Sequence, residues 1–159
     1  MKKLGTVTGE GFESIVWEHE GRVWFVGDLD VDVDGSGGNP DHDPYFQPDT
    51  TLHHNGKAIN PYEVSGMVVP EWLPKAVGPI VMGCRGRVTN LSNLRSAEAV
   101  VHDSGPLRKT GEGTPHLAIR LGINPNPNTG GEDNPVILYE LWPGAPAIVD
   151  GIEYTLQKA

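Results

Sequence analysis

Cleavage of a glycosidic bond needs two carboxyl groups: one protonates the departing oxygen and the other activates a water. Asp103 and Glu112 are residues of that type. They sit on a Gly/Pro-rich stretch that runs His102-Asp103-Ser104-Gly105-Pro106 and then Gly111-Glu112-Gly113-Thr114-Pro115. Asp103 closes the apolar run Ala99-Val100-Val101, and Glu112 stands just before a helix start. Taken alone, the pair also fits an ordinary turn and ordinary complementation of a helix N-terminus.

A second acidic run, Asp28-Leu29-Asp30-Val31-Asp32-Val33-Asp34-Gly35, lies upstream. Strand alternation places its four aspartates on one face and Leu29, Val31 and Val33 on the other. Asp30, Asp32 and Asp34, followed by Gly35 and by Asp41 at the twelfth position, also match the spacing of a calcium loop. Flanking helices are not readable there, and the twelfth residue is Asp where Glu is usual. Three readings stay open: bound calcium on Asp30, Asp32, Asp34 and Asp41; a substrate-facing strand whose Asp30 and Asp32 hold amino groups; or a solvated acidic turn. Tyr45 and Phe46, on the polar loop Gly35–Pro48, are candidates to stack on sugar rings.

The elements that must position these residues read as short strands. Gly21–Gly27 is a strand whose alternation continues through the aspartates, and Gly66–Val69, Pro79–Cys84, Ala97–Asp103, Val136–Leu141 and Ile152–Leu156 follow. Arg85–Arg95 reads as a connection. One helix is expected at about 114–121, with Thr114 as cap, Pro115 in the first turn and Gly122 beyond its end. Asn124–Pro135 is a loop. Six or more short strands with one helix predict a mainly β fold, a small barrel, in a single domain over residues 1–159.

Composition narrows the chemistry. The chain has 159 residues, 21 Gly, 14 Pro and a formal net charge of −9, with no basic stripe to neutralise phosphates, so nucleic acid is not an expected partner. An acidic surface attracts a polycation, and a polymer of glucosamine is one. Cys84 is the only cysteine, so neither an intramolecular disulfide nor a cysteine-based metal site is expected. The histidines at 19, 42, 53, 54, 102 and 116 form no zinc pattern. Met1-Lys2-Lys3 is followed by polar residues rather than an apolar core. The expectation is a chain with no signal peptide and no membrane span, cytoplasmic as synthesised, then released by lysis or carried on a virion.

Laid in order, these segments resemble the chitosanases of glycoside hydrolase family 75, known mainly from fungi. The resemblance covers roughly residues 24 to 144. It rests on Asp28–Gly35, Asp43-Pro44-Tyr45-Phe46-Gln47, Thr50-Thr51-Leu52, Val68-Val69-Pro70, His102–Pro106, Gly111-Glu112 and Leu121-Gly122-Ile123-Asn124-Pro125. It implies a six-stranded double-psi-like β-barrel, an inverting endo-hydrolase acting on chitosan or a related glucosamine polysaccharide, and Asp103 and Glu112 as the essential acids. Family analogy makes Glu112 the acid and Asp103 the base. The positive end of the helix near Thr114 would instead lower the Glu112 pKa, unless desolvation overrides it. Arg108 and Lys109 between the two acids oppose a cationic sugar, which keeps a peptidoglycan-cleaving enzyme open. A non-catalytic glycan-binding or virion structural module with a calcium-stabilised loop is the reading from a different class.

Overall fold

The run Arg-Val-Trp-Phe-Val-Gly-Asp-Leu-Asp-Val forms the strand around which the sheet is organised. In the computed structural model, which describes residues 1–78 and 80–158, it is β3 (Arg22–Val31). Before it come β1 (Lys2–Gly9) and β2 (Phe12–His19), an antiparallel hairpin that extends the sheet. After it come β4 (Gly66–Val69), α1 (Trp72–Val77), β5 (Cys84–Asn90), β6 (Arg95–Ser104) and β7 (Glu112–Gly113). Then follow α2 (Pro115–Arg120), β8 (Glu132–Pro146) and the small pair β9 (Ile148–Val149) and β10 (Ile152–Glu153).

Six strands close on themselves. Their order is β3-β7-β4-β6-β5-β8, and β8 pairs back onto β3. Two contacts in the ring, β3–β7 and β4–β6, are parallel and the others antiparallel. Alternating side chains from five of the six fill the interior, among them Leu29, Met67, Val88, Val101, Ile137 and Leu141, each fully buried, while the two-residue β7 adds none. Phe25 and Tyr139 stack with ring centres 5.1 Å apart, and the Tyr139 hydroxyl donates to the Asp28 carbonyl. Among the described residues, no helix is long and apolar enough to cross a membrane.

The mainly β barrel agrees with the sequence reading; several boundaries do not. Arg85–Arg95 is no connection, because Cys84–Asn90 is a full strand between β6 and β8. Its Arg85 and Arg87 look polar but lie on the outer face, where Arg85 stacks on Trp142 and pairs with Glu98. Of the strand expected at Pro79–Cys84, Pro79 lies outside the described residues, and only Cys84 belongs to a strand. The acidic strand ends at Val31, after which Val33 stays buried while the backbone turns. A second helix, α1, was hidden by Pro74, which occupies its first turn.

One close approach sets the geometry near β7. Gly111 has φ 78°, and a Cβ there would run into the carbonyl of Asp28. Only glycine allows the segment before β7 to lie this tightly on β3. We expect Gly111→Ala to lower stability by at least about 1–2 kcal/mol, read as an earlier urea midpoint with unchanged slope. An unaltered midpoint would show that the two segments are not in such contact.

Candidate active site

The acids are brought together by strand register. Asp30 on β3 pairs with Glu112 on β7, Glu112 with Val68 on β4, and Val68 with Asp103 on β6. Residues directly paired across strands project from the same face. One row across four strands therefore carries Asp30, Glu112 and Asp103, with Val68 between the last two. Backbone hydrogen bonds from Asp30 N to the Gly111 carbonyl (2.7 Å) and from Asp32 N to the Gly113 carbonyl (2.8 Å) lock the row.

The row opens onto a cleft of about 460 Å³ walled by Asp30, Asp32, Asp34, Asp43, Glu112 and Lys109, with Tyr45 and Pro127 at its sides. Lys109 Nζ lies 2.5 Å from Asp30 and 4.0 Å from Glu112. Asp103 adjoins the cleft: carboxylate oxygens of Asp32, Asp34 and Asp103 all lie within 4.8 Å of one another. Thr51 donates to Asp103 Oδ1 from its backbone N (3.1 Å) and hydroxyl (2.8 Å), and Ser104 N donates to the same oxygen (3.0 Å). That carboxyl is thus held in one orientation. Asp34 N in turn donates to Asp32, and Gln47 N to Asp34.

Burial and mutual repulsion govern the charges. Glu112 is pushed from 4.5 to about 7, first by desolvation and then by Asp32, Asp30 and Asp34, with Lys109 opposing. Asp32 and Asp34 rise to about 6 for the same reasons, their own hydrogen bonds partly offsetting the rise. The expected helix-dipole effect on Glu112 does not decide the matter. α2 has only six residues, and Thr114 accepts from Leu117 N, so the helix start is capped by Thr114 and not by Glu112. Desolvation wins.

The sequence-derived candidates separate into groups. Asp30, Asp32 and Glu112 line the cleft, and Tyr45, 83% exposed, stands at its mouth. Phe46 does not join it: this side chain packs against the core. The set Asp30, Asp32, Asp34 and Asp41 does not converge either. Asp30 is engaged by Lys109, and Asp41 accepts from the Tyr62 hydroxyl at 2.9 Å. The carboxylates that do meet are Asp32, Asp34 and Asp103, a trio that could hold a cation. His102, next to Asp103, is fully buried, and burial lowers its pKa.

Sequence reading missed Lys109 as a partner of Asp30 and missed the junction of Asp103 with the acidic strand. The first joins residues far apart in sequence and had no local signal. The second is a tertiary contact with none. No protein-family model matches this chain, and no curated protein matches it.

The raised acids carry a stability consequence. A carboxyl whose folded pKa exceeds its unfolded value binds an extra proton in the folded state, so its burden on stability grows as pH rises between the two values. For Glu112 that window runs from about 4.5 to about 7. Glu112→Gln should therefore match wild type in stability near pH 4.5 and exceed it at pH 8 by about 3 kcal/mol, read from urea midpoints at the two pH values. Coincident midpoints at pH 8 would show that Glu112 is not so perturbed.

Proposed function

We propose that this chain is an endo-acting glycoside hydrolase that cleaves a glucosamine-containing polysaccharide with inversion, similar to the family 75 chitosanases. The observation that carries the reading is the row Asp30–Glu112–Val68–Asp103, which sets two carboxyls two strands apart on one face. Adjacent strands are about 4.8 Å apart. The two backbones are then roughly 10 Å apart, which suits the carboxyl separation of about 6.5–9.5 Å that leaves room for an inverting water.

Roles follow from environment. Glu112, near 7, retains its proton at mildly acid pH and can give it to the glycosidic oxygen. Asp103, oriented by Thr51 and Ser104, takes the proton of a water on the opposite face of the sugar. Asp32 and Asp34 take up protons of the cluster near pH 6, which limits the repulsion around that base. The acidic cleft suits a cationic sugar, and Tyr45 offers a ring face to it.

Reducing-end release from chitosan and from peptidoglycan tests this. Glu112→Gln and Asp103→Asn should each cut kcat by at least about a hundredfold while remaining folded. The first product from a β-linked polymer should appear as the α anomer by proton NMR. Tyr45→Ala should raise KM severalfold with kcat nearly unchanged. Gly105→Ala is a subtler probe: its Cβ would come 2.5 Å from Glu112 Oε2, the free end of a side chain. It should lower kcat and leave the thermal midpoint within about 2 °C of wild type. No release from either polymer would overturn the enzyme reading.

The cluster of Asp32, Asp34 and Asp103 favours a second reading, a non-catalytic glycan-binding module with calcium on those three residues. It requires that millimolar calcium raise the thermal midpoint of wild type but not of Asp103→Asn, with no cleavage of any glycan.

A further inference from the structure

The aim of the Asp103 carboxyl depends on a residue that is itself held from outside the barrel. Thr51 supplies two of the three hydrogen bonds to Asp103 Oδ1, one from its backbone N and one from its hydroxyl. Yet residues 51–53 lie outside the strands, so no sheet ladder fixes Thr51. On one side, Leu52 N donates to the His102 carbonyl (2.9 Å) and ties the stretch to β6.

Gln157 closes the other side. Its Nε2 donates to the Thr51 carbonyl (2.5 Å), and its Oε1 accepts from His53 N (3.0 Å). Only one orientation of the amide serves both, because the carbonyl needs the NH2 group and the N–H needs the oxygen. One side-chain amide thus bridges a carbonyl and the N–H two residues on, as a peptide group of a neighbouring strand would. The segment that carries Gln157, after β10, is pinned in turn. Gln157 N donates to the Met82 carbonyl and Tyr154 N to the Ala147 carbonyl, each at 2.9 Å. The buried Tyr154 ring lies against His54 with ring centres 4.7 Å apart. Gly83, at φ 83°, lets the Thr155 carbonyl pass where a Cβ would stand 2.4 Å from it. Neither Thr51 nor Gln157 lines the cleft, so any effect they have on chemistry there runs through Asp103.

We propose that Gln157 is a positioning residue for the catalytic base: its amide fixes the Thr51–His53 stretch, and Thr51 in turn aims the Asp103 carboxyl. This rests on the glycosidase reading above. All three donors meet Oδ1, which leaves Oδ2 as the oxygen that takes the proton of the water. Loss of the Gln157 bridge lets Thr51 drift and the carboxyl turn with it, and small misplacements of a reacting group are costly in rate.

Gln157→Met keeps the length of the side chain and removes both hydrogen bonds. Gln157→Glu keeps the acceptor for His53 N and removes the donor to Thr51, so it serves should the first variant fold poorly. Assayed on chitosan well below the thermal midpoint, each should lower kcat about tenfold and leave KM within about twofold of wild type. A role in stability alone would lower the midpoint and spare kcat of the folded molecules. Thr51→Val should also lower kcat, and its combination with Gln157→Met should lose clearly less than the product of the two single losses, since one residue acts through the other. By NMR, the Thr51 N–H should exchange with solvent about tenfold faster in Gln157→Met, while the Ser104 N–H, which reaches Asp103 from β6 itself, should be unchanged. Full kcat in both Gln157 variants, a change confined to KM, or losses that multiply in the double variant would overturn the positioning role and leave the enzyme reading intact. If wild type cleaves neither polymer, the enzyme reading falls and exchange decides alone: faster exchange at Thr51 keeps Gln157 as the residue that holds Thr51 on Asp103, and unchanged exchange removes it.

Discussion

Two backbone hydrogen bonds between β3 and the Gly111–Gly113 segment, from Asp30 N and Asp32 N, are the constraint on which the site depends. β7 is only two residues long, and in parallel register on β3 it could not persist alone. It persists because β4 flanks its other edge and because Gly111 permits close approach to Asp28. That short strand converts an acidic run and a distant Gly-Glu-Gly segment into one row of carboxyls. Without it, Glu112 would lie on a loop apart from Asp30 on β3, and their mutual perturbation would disappear into solvent.

The row is electrostatically expensive, and the fold supports it locally. Lys109 neutralises Asp30 and partly screens Glu112, while backbone donors from Thr51, Ser104, Asp34 and Gln47 serve the aspartates. These donors do not remove the repulsion, since Asp32 and Asp34 still rise to about 6 and Glu112 to about 7. A fold that needed only stability would replace several of them with neutral residues. Concentrating perturbed acids in a cleft is the pattern expected where proton transfer or cation binding is performed.

The alternation of Asp30, Asp32 and Asp34 against Leu29, Val31 and Val33 was legible, because a period of two survives wherever one face is buried. Asp28 broke that pattern. The bulge after Gly27 leaves it on the acidic side of the strand yet roofed by Gly111, which no local rule reveals. The helix at Thr114 was legible from its cap and proline, and its bounds shifted by one residue at either end. β5 was not legible, since its outward arginines gave it the composition of a connection. Phe46 was read from a polar neighbourhood, but its ring turns back onto the core while Tyr45, one residue earlier, faces solvent. The meeting of Asp103 with Asp32 and Asp34 depends on barrel closure and had no trace in spacing.

Arg108 and Lys109 read from sequence as an obstacle to a cationic substrate, and the structure places only Lys109 at the acids. Arg108 is exposed and does not line the cleft; its backbone carbonyl, not its charge, serves the fold by accepting from Thr8. Lys109 is held against Asp30, so its charge cancels one carboxylate among the five that line the cleft. The same ammonium stands 4.0 Å from Glu112, where it opposes the rise of the Glu112 pKa. Lys109 is part of the chain, so a cation entering the cleft adds a charge to it and replaces none, and the four carboxyls not paired with Lys109 are what would offset that charge. The Lys109–Asp30 ion pair therefore sets how much uncompensated negative charge the cleft retains.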